Sequence, residues 1–448
     1  MSTCNILQQE LFTCKAALCV LHKNSADTKR FVLTYYQKYG TISTRNSRPK
    51  GVGSAVSDTK MTILVPAMLD ETFELLKAAF ASKGVRVVLL KNTCGIINTG
   101  LEFVHNDICC PCAIIVGQLV SALRSGRYDL NRTAFLCAQA GDSCRGSNYI
   151  PLIKKALKKA GFDIPVLSLN FFDMQQGARF DITPAFLLKA MAAVMYSDIL
   201  MILKNQILPY ELHKGETDAL CRKWQDRLRR DIFVGRHLLS YRRRFDEICC
   251  DFAKIECTQE KKTRIGFVGE LYMKYCSIGN RDLLRHYEKW GAEVRVNGFS
   301  WYVLYYIDSH LYDSSPVITA GYKAASHVIE KVQRKMIRSL REHGFECFDS
   351  FTAFKKTAES RLPCRCTTGD GWLIGAEIVS HALSGTKGVA CLQPFGCMPN
   401  HVCGHGLYSS IQRRLSDTGV RLVSIDFDSS GSDVNILNRA QLLLMPFS

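Results

Sequence analysis

Residues 372–397, WLIGAEIVSHALSGTKGVACLQPFGC, share a plan with residues 114–144, IIVGQLVSALRSGRYDLNRTAFLCAQAGDSC. Each stretch reads as a helix closed by Ser-Gly, then an apolar strand, then a short turn ending in cysteine. Helices feeding strands in this way imply parallel sheets covered by helices on both faces. Ligands of open parallel sheets bind beyond the carboxyl ends of the strands. Cys144 and Cys397 both fall there, one in each half of the chain.

The same alternation continues outward. MTILVPAM (61–68) and VRVVLL (85–90) read as strands, separated by a helix that starts at Asp70 and closes at Gly84. TAFLCAQA (133–140) and PVLSLN (165–170) follow, with the helix YIPLIKKALKKAG (149–161) between them. A second set comprises TRIGFVGE (263–270), AEVRVNGF (292–299), GVACLQ (388–393) and VRLVSIDF (420–427). Residues 171–260 are charged and helical in period, with no strand signal of that quality. The expected organisation is a polar lead-in over 1–57, a first α/β domain over 58–175 and a helical segment over 176–260. A second α/β domain follows over 261–448, with a helical insertion at about 308–350. Both α/β domains are expected to be open parallel sheets of the flavodoxin or Rossmann type.

Composition narrows the function classes. A chain of 448 residues with 47% hydrophobic content can build a core in each of two domains and is not globally disordered. No uninterrupted apolar run reaches about 18 residues, so no membrane-spanning helix is expected. The opening MSTCNILQQELFTCKAALCV has no basic n-region and carries Glu10 and Lys15. It does not read as a signal peptide, and a cytoplasmic location is the expectation. The net charge of +17 concentrates in RKWQDRLRRD (222–231) and RHLLSYRRRFDE (236–247). Apolar residues at helical spacing within these runs mark solvated helix faces. No zinc-finger, RRM or KH signature accompanies them, which argues against nucleic acid. An anionic ligand such as a coenzyme A thioester, or an acidic protein, suits the charge equally well.

Twenty cysteines in a reducing compartment are not expected to be disulfide-bonded. Most read as small buried hydrophobes, among them Cys14, Cys19, Cys137, Cys276, Cys347 and Cys391. The others gather beside Gly and Pro in loops, where packing gives no reason for a thiol. Cys109, Cys144 and Cys397 form the candidate ligand set, each in a loop at a strand or helix end, where helix N-termini favour thiolates. Structural zinc wants four ligands in spaced Cys-x-x-Cys pairs, and CCPC (109–112) and CRC (364–366) do not supply them. Cys109 to Cys112 also resembles a redox motif. An iron–sulfur cluster tolerates ligands scattered through the sequence. Spacing leaves these alternatives open.

Six ordered motifs resemble the 2-hydroxyacyl-CoA dehydratase superfamily, in the branch found in large acyl-CoA dehydratase activase-related proteins. They are NDICCPCAIIVGQLVSALRSGRYD (106–129), CRGSNYIPLIKKALKKAGF with IPVLSLN (144–170), IGFVGELYMKY (265–275), GDGWLIGAEIV (369–379), QPFGCMPNHVCGHG (393–406) and IDFDSSGSDVNILNRAQLLL (425–444). The resemblance covers roughly residues 58–445. It implies a [4Fe-4S] cluster held by three cysteines between two α/β domains, with one iron left open. Cys109, Cys144 and Cys397 fall on the family's three ligand positions. Cys110 stands where the family usually has Tyr, Cys112 where it has a small residue, and AGDSC replaces a glycine-rich run. Cys364, Cys366 and Cys403 are additional thiols, either surplus or serving an extra cluster or a larger double-cubane assembly.

The resemblance further implies radical dehydration or reduction of an acyl-CoA-like substrate. Its electron would come from a separate ATP-dependent activator, because no ATPase phosphate-binding motif occurs in this sequence. A second dehydratase-type subunit or a homodimer is compatible with it. Asn106, Arg145, Ser147, Asn148 and Glu270 are candidates for ordering the cysteine loops or lining a substrate pocket, against the plainer reading of helix caps. His401 and His405 read as surface imidazoles of a turn, and Asp426 and Asp428 as turn residues. Two other functions stay open at this point. One is a cluster-bearing electron-transfer or assembly subunit without its own active site. The other is a non-enzymatic basic interaction protein.

Overall fold

The strands arrange themselves as the repeat requires. β1 (Thr62–Pro66), β2 (Arg86–Leu90), β3 (Thr133–Cys137) and β4 (Val166–Ser168) form one all-parallel sheet in the order β2-β1-β3-β4. β5 (Thr263–Gly269), β6 (Ala292–Val296), β7 (Gly388–Pro394) and β8 (Arg421–Phe427) form another in the order β6-β5-β7-β8. Counted within its own half, each sheet therefore runs second, first, third, fourth. Strand order reverses between the first and third strands, and the crevice at such a reversal is where parallel sheets bind ligands. The computed structural model describes residues 61–82, 84–105, 107–138, 144–168, 183–311, 316–429 and 433–445, all in one compact unit. The lead-in 1–57 and Asn106 lie outside the described residues.

Packing explains why the central strands are apolar throughout. β3 and β7 are buried at every position, because helices cover both faces of each sheet. The helix Cys110–Arg124 leads into β3 and is buried over nearly all of its length; Gly371–Leu383 does the same for β7. Gln118, within the first of these helices, is fully buried. Its amide accepts from Ala67 N–H (3.2 Å) and donates to Leu90 O (3.1 Å), tying the ends of β1 and β2. One apolar core cluster runs through both halves, from Leu64 and Phe135 to Phe267 and Ile425.

The segment expected to be helical contains Pro184–Ile207, Glu216–Val234 and Tyr241–Phe252. Pro184–Ile207 is the one helix among the described residues long and apolar enough to cross a membrane, and 61% of its apolar window is buried inside the fold. Its Asp198 carboxylate caps the helix Phe299–Ser309, accepting from Phe299 N–H (2.7 Å) and Ser300 N–H (2.8 Å). That central position accounts for its apolar composition. The basic runs are laced with ion pairs: Arg242 to Asp246, Arg243 to Glu247, and Arg244 to both Asp231 and Glu247. A surface concavity of about 710 Å³ beside them is lined by Arg242, Arg243 and Lys335 but also by Asp246 and Glu247. Much of the local positive charge is thus answered within the fold.

His381, on the helix before β7, shows how tightly these layers fit. A methyl at Gly266 of β5 would lie 2.6 Å from the imidazole, and the Phe348 ring meets it edge-on at 4.8 Å. Burial, then Arg295 and Lys274, pulls its pKa from 6.5 down to about 3. The unfolded chain therefore binds a proton that the folded chain refuses. Stability is full above the unfolded value and falls as pH drops below it. At about pH 5 the loss amounts to roughly 2 kcal/mol relative to neutral pH. His381→Phe should flatten this part of a melting-temperature profile against pH; an unchanged slope would assign it to other groups.

Candidate functional site

The three candidate thiols share one local structure: each is the residue that opens a helix. Cys109 is the N-cap of Cys110–Arg124, Cys144 that of the short 3₁₀ turn Arg145–Asn148, and Cys397 that of Met398–Cys403. Cys109-Cys110-Pro111 and Cys397-Met398-Pro399 use the same device. Proline is tolerated in a first helical turn, where its missing N–H has no partner to lose. Cys110 and Cys112, read from sequence as loop residues, are instead buried in the first turn of their helix. QPFGCMPNHVCGHG likewise contains a helix where a loop was expected. Its Pro and Gly content hides one and a half turns of helix.

The fold brings these cysteines together from both halves. Glu270 is an electrostatic neighbour of all three thiols, Asp370 of Cys144 and Cys397, and Cys109 of Cys144. A methyl at Gly369 would sit 4.0 Å from Cys144 Cβ and 2.6 Å from Pro399 Cγ, so the Cys144 turn lies near the helix that Cys397 opens. Arg145 donates to the carbonyl of Asp107 and joins the Cys144 turn to the Cys109 loop. Contacts between the halves continue nearby, where Ser277 donates to Asp70 and Cys276 to Ala67 O.

Polar neighbours aim at the sulfurs. Tyr149 Oη lies 2.8 Å from Cys109 Sγ; Gly146 N–H donates to Cys144 Sγ and Asn400 Nδ2 to Cys397 Sγ, each at 3.3 Å. Burial nevertheless dominates. It raises the thiol pKa of Cys109 and Cys397, and that of Cys144 to about 12, against the pull of those hydrogen bonds. Such thiols stay protonated until a cation replaces the protons.

Two carboxyl groups complete the site. Glu270 follows β5 and caps Leu271–Tyr275, its Oε2 accepting from Met273 N–H at 2.9 Å, which is the plainer reading of this residue. Asp370 opens the helix into β7, the place Cys109 holds in the first half. Burial lifts both carboxyl groups, and the charge of Glu270 lifts Asp370 further. Burial and the charge of Glu270 thus favour the protonated form of Asp370, against the pull of Lys274. Beneath them Lys274 makes a buried ion pair with Glu377 at 2.7 Å.

The remaining candidates divide. Ser147 Oγ donates to Cys144 O at 2.7 Å and closes the turn; Asn148 is exposed and makes no capping bond with its side chain. His401 and His405 are exposed. Cys364 is buried, and Cys366 meets Cys403. Sequence reading missed Tyr149, Asp370, Asn400 and Lys274, although all four stand inside the quoted motifs CRGSNYIPLIKKALKKAGF, GDGWLIGAEIV, QPFGCMPNHVCGHG and IGFVGELYMKY. Among the described residues no group of three or more His, Cys, Asp or Glu side chains is gathered tightly enough for a single metal ion. No family model matches the chain, and no curated protein matches it significantly.

Proposed function

We propose that this chain is an iron–sulfur protein of the 2-hydroxyacyl-CoA dehydratase type, with Cys109, Cys144 and Cys397 as ligands of a [4Fe-4S] cluster. One observation carries this reading: three thiols from two repeated halves, each opening a helix, converge on the carboxyl edges of both sheets around Glu270. The donor set fits. Thiolates are the ligands such clusters take, and a multi-iron group spreads its thiols wider than a single ion does. When bound, the cluster would supply one-electron chemistry and a Lewis-acidic iron.

The chain's own residues do the rest. The N–H of Gly146 and the amide of Asn400 donate to ligand sulfurs, which is how a protein tunes a cluster. Cys109 and Cys397 are largely shielded from water, while Cys144 is partly open, which suits approach of a substrate from its side. Glu270 and Asp370, both pushed toward the protonated form, can pass a proton to a leaving hydroxyl or take one from a substrate carbon, the acid–base work that dehydration of an acyl-CoA thioester needs. A separate ATP-dependent activator would deliver the electron, and a second dehydratase-type subunit or a second copy of this chain would complete the assembly.

Anaerobic iron and sulfide analysis with EPR tests the ligand assignment. Cys109→Ala, Cys144→Ala and Cys397→Ala should each lose the cluster, whereas Cys403→Ala should keep it. Full iron content in all three single variants overturns the assignment. A change in the EPR signal on adding a 2-hydroxyacyl-CoA supports a substrate site; an unchanged signal favours an electron-transfer subunit.

A further inference from the structure

A second pair of sulfurs stands apart from the three thiols. Cys366 Sγ and Cys403 Sγ are 3.0 Å apart, with Cys366 exposed and Cys403 buried. That gap exceeds a disulfide bond by only about 1 Å. Among the described residues no third ligand joins them to form a metal site.

The pair links two segments that flank the candidate site. Cys366 lies in the loop between the helices Phe351–Glu359 and Gly371–Leu383, and that loop ends at Gly369 and Asp370. Cys403 closes the helix that Cys397 opens. The loop is closely seated. Trp372 N–H donates to Cys366 O at 2.9 Å, and a methyl at Gly371 would lie 2.2 Å from Tyr305 Oη and 2.3 Å from Cys366 O. Its other flank meets Pro399 at Gly369.

We propose that Cys366 and Cys403 are a dithiol–disulfide site that exchanges with a low-mass disulfide of the glutathione type, and that the bond clamps this loop over the three-thiol site. Cys366, the exposed partner, attacks one sulfur of the small disulfide, forming a mixed disulfide and expelling a thiolate that takes up a proton. Cys403 then gives up its proton and attacks Cys366 Sγ. The protein disulfide forms, and the second small thiolate leaves and is protonated. Two protein thiols are oxidised by two electrons, and one small disulfide is reduced to two thiols. Burial, then the neighbouring Cys366 thiol, pushes Cys403 up to about 12, which suits the second, resolving role. The site depends only on the chain's own sulfurs and stands whether or not the neighbouring cysteines hold a cluster.

The full-length chain, treated with oxidised glutathione, quenched by alkylation and digested, should yield a peptide joining Cys366 to Cys403 that dithiothreitol separates. Cys403→Ser should accumulate a stable glutathione adduct on Cys366, and Cys366→Ser should form neither species. Alkylation of Cys144 should be several-fold slower in the oxidised wild-type chain than in the reduced one, with no such difference in Cys366→Ser. Because Cys366 is exposed, its serine variant tests the site without disturbing the core. Three results overturn the proposal: a persistent glutathione adduct on wild-type Cys366, pairing of Cys366 with another cysteine, or loss of bound iron in Cys366→Ser, which would make the pair metal ligands.

Discussion

Replacing Lys274 by Met should cost about 3–5 kcal/mol of folding stability, most of it recovered when Glu377→Gln is added. The reason is desolvation. Lys274 Nζ lies 2.7 and 3.0 Å from the two carboxylate oxygens of Glu377, and both side chains are 1% exposed. Asn297 Nδ2 donates to the same carboxylate at 3.2 Å, so the anion is held in place when its cation is removed. Glu270, Asp370 and Asp198 all feel the charge of Lys274, and each loses a favourable field with it. Glu377→Gln removes the stranded charge and keeps the acceptor for Asn297. Urea denaturation of the two single variants and the double variant measures the coupling. A loss below about 1 kcal/mol in Lys274→Met would mean that water reaches the pair. The site changes as well, because without the cation both Glu270 and Asp370 are pushed further toward their protonated forms.

The strands were legible because each is a short apolar run bounded by turn residues, and two halves with one plan told the same story twice. Helices of less than two turns were not. Ile96–Leu101 contains Gly100, Met398–Cys403 contains Pro399, and Leu271–Tyr275 is five residues long. Periodicity needs two turns or more before it separates from noise. Cys109, Cys144 and Cys397 could be singled out because a cysteine in a loop at the end of a strand or helix has no packing explanation, and the fold places each of them as the residue that opens a helix. Asp370 and Lys274 were not, since what distinguishes them is burial beside partners about a hundred residues away, and a lone Asp before Gly reads as a turn. Asp370 stands out only once the helices of the two halves are compared and it is found where Cys109 stands in the other.

The repeat also misleads, and one pair of substitutions shows where. Gly117 in IIVG and Gly375 in WLIG hold the same place in the two motifs, and from sequence alone one role would be assigned to both. A methyl at Gly117 would lie 1.7 Å from Ile96 O and 3.1 Å from Gly100 N, while one at Gly100 would lie 2.0 Å from Ala113 O. Every one of these obstacles is backbone, which cannot rotate away, so the helices Ile96–Leu101 and Cys110–Arg124 cross in direct backbone contact. Gly117→Ala must push them apart, and the expected cost is about 3 kcal/mol or more. The same movement shifts the helix that Cys109 opens, so iron held at the proposed cluster site should fall along with stability. At Gly375 the nearest atoms are the methyls of Leu362 at 3.3 and 3.4 Å and Ile411 Cδ1 at 3.5 Å, ends of side chains that can yield. There Ala gains about 1 kcal/mol of helix propensity over Gly, which offsets the crowding and leaves stability within about 1 kcal/mol of wild type. Urea midpoints of the two variants decide the matter. Equal losses would mean that the crossing in the first half is no tighter than its counterpart, and a neutral Gly117→Ala would remove the close approach altogether.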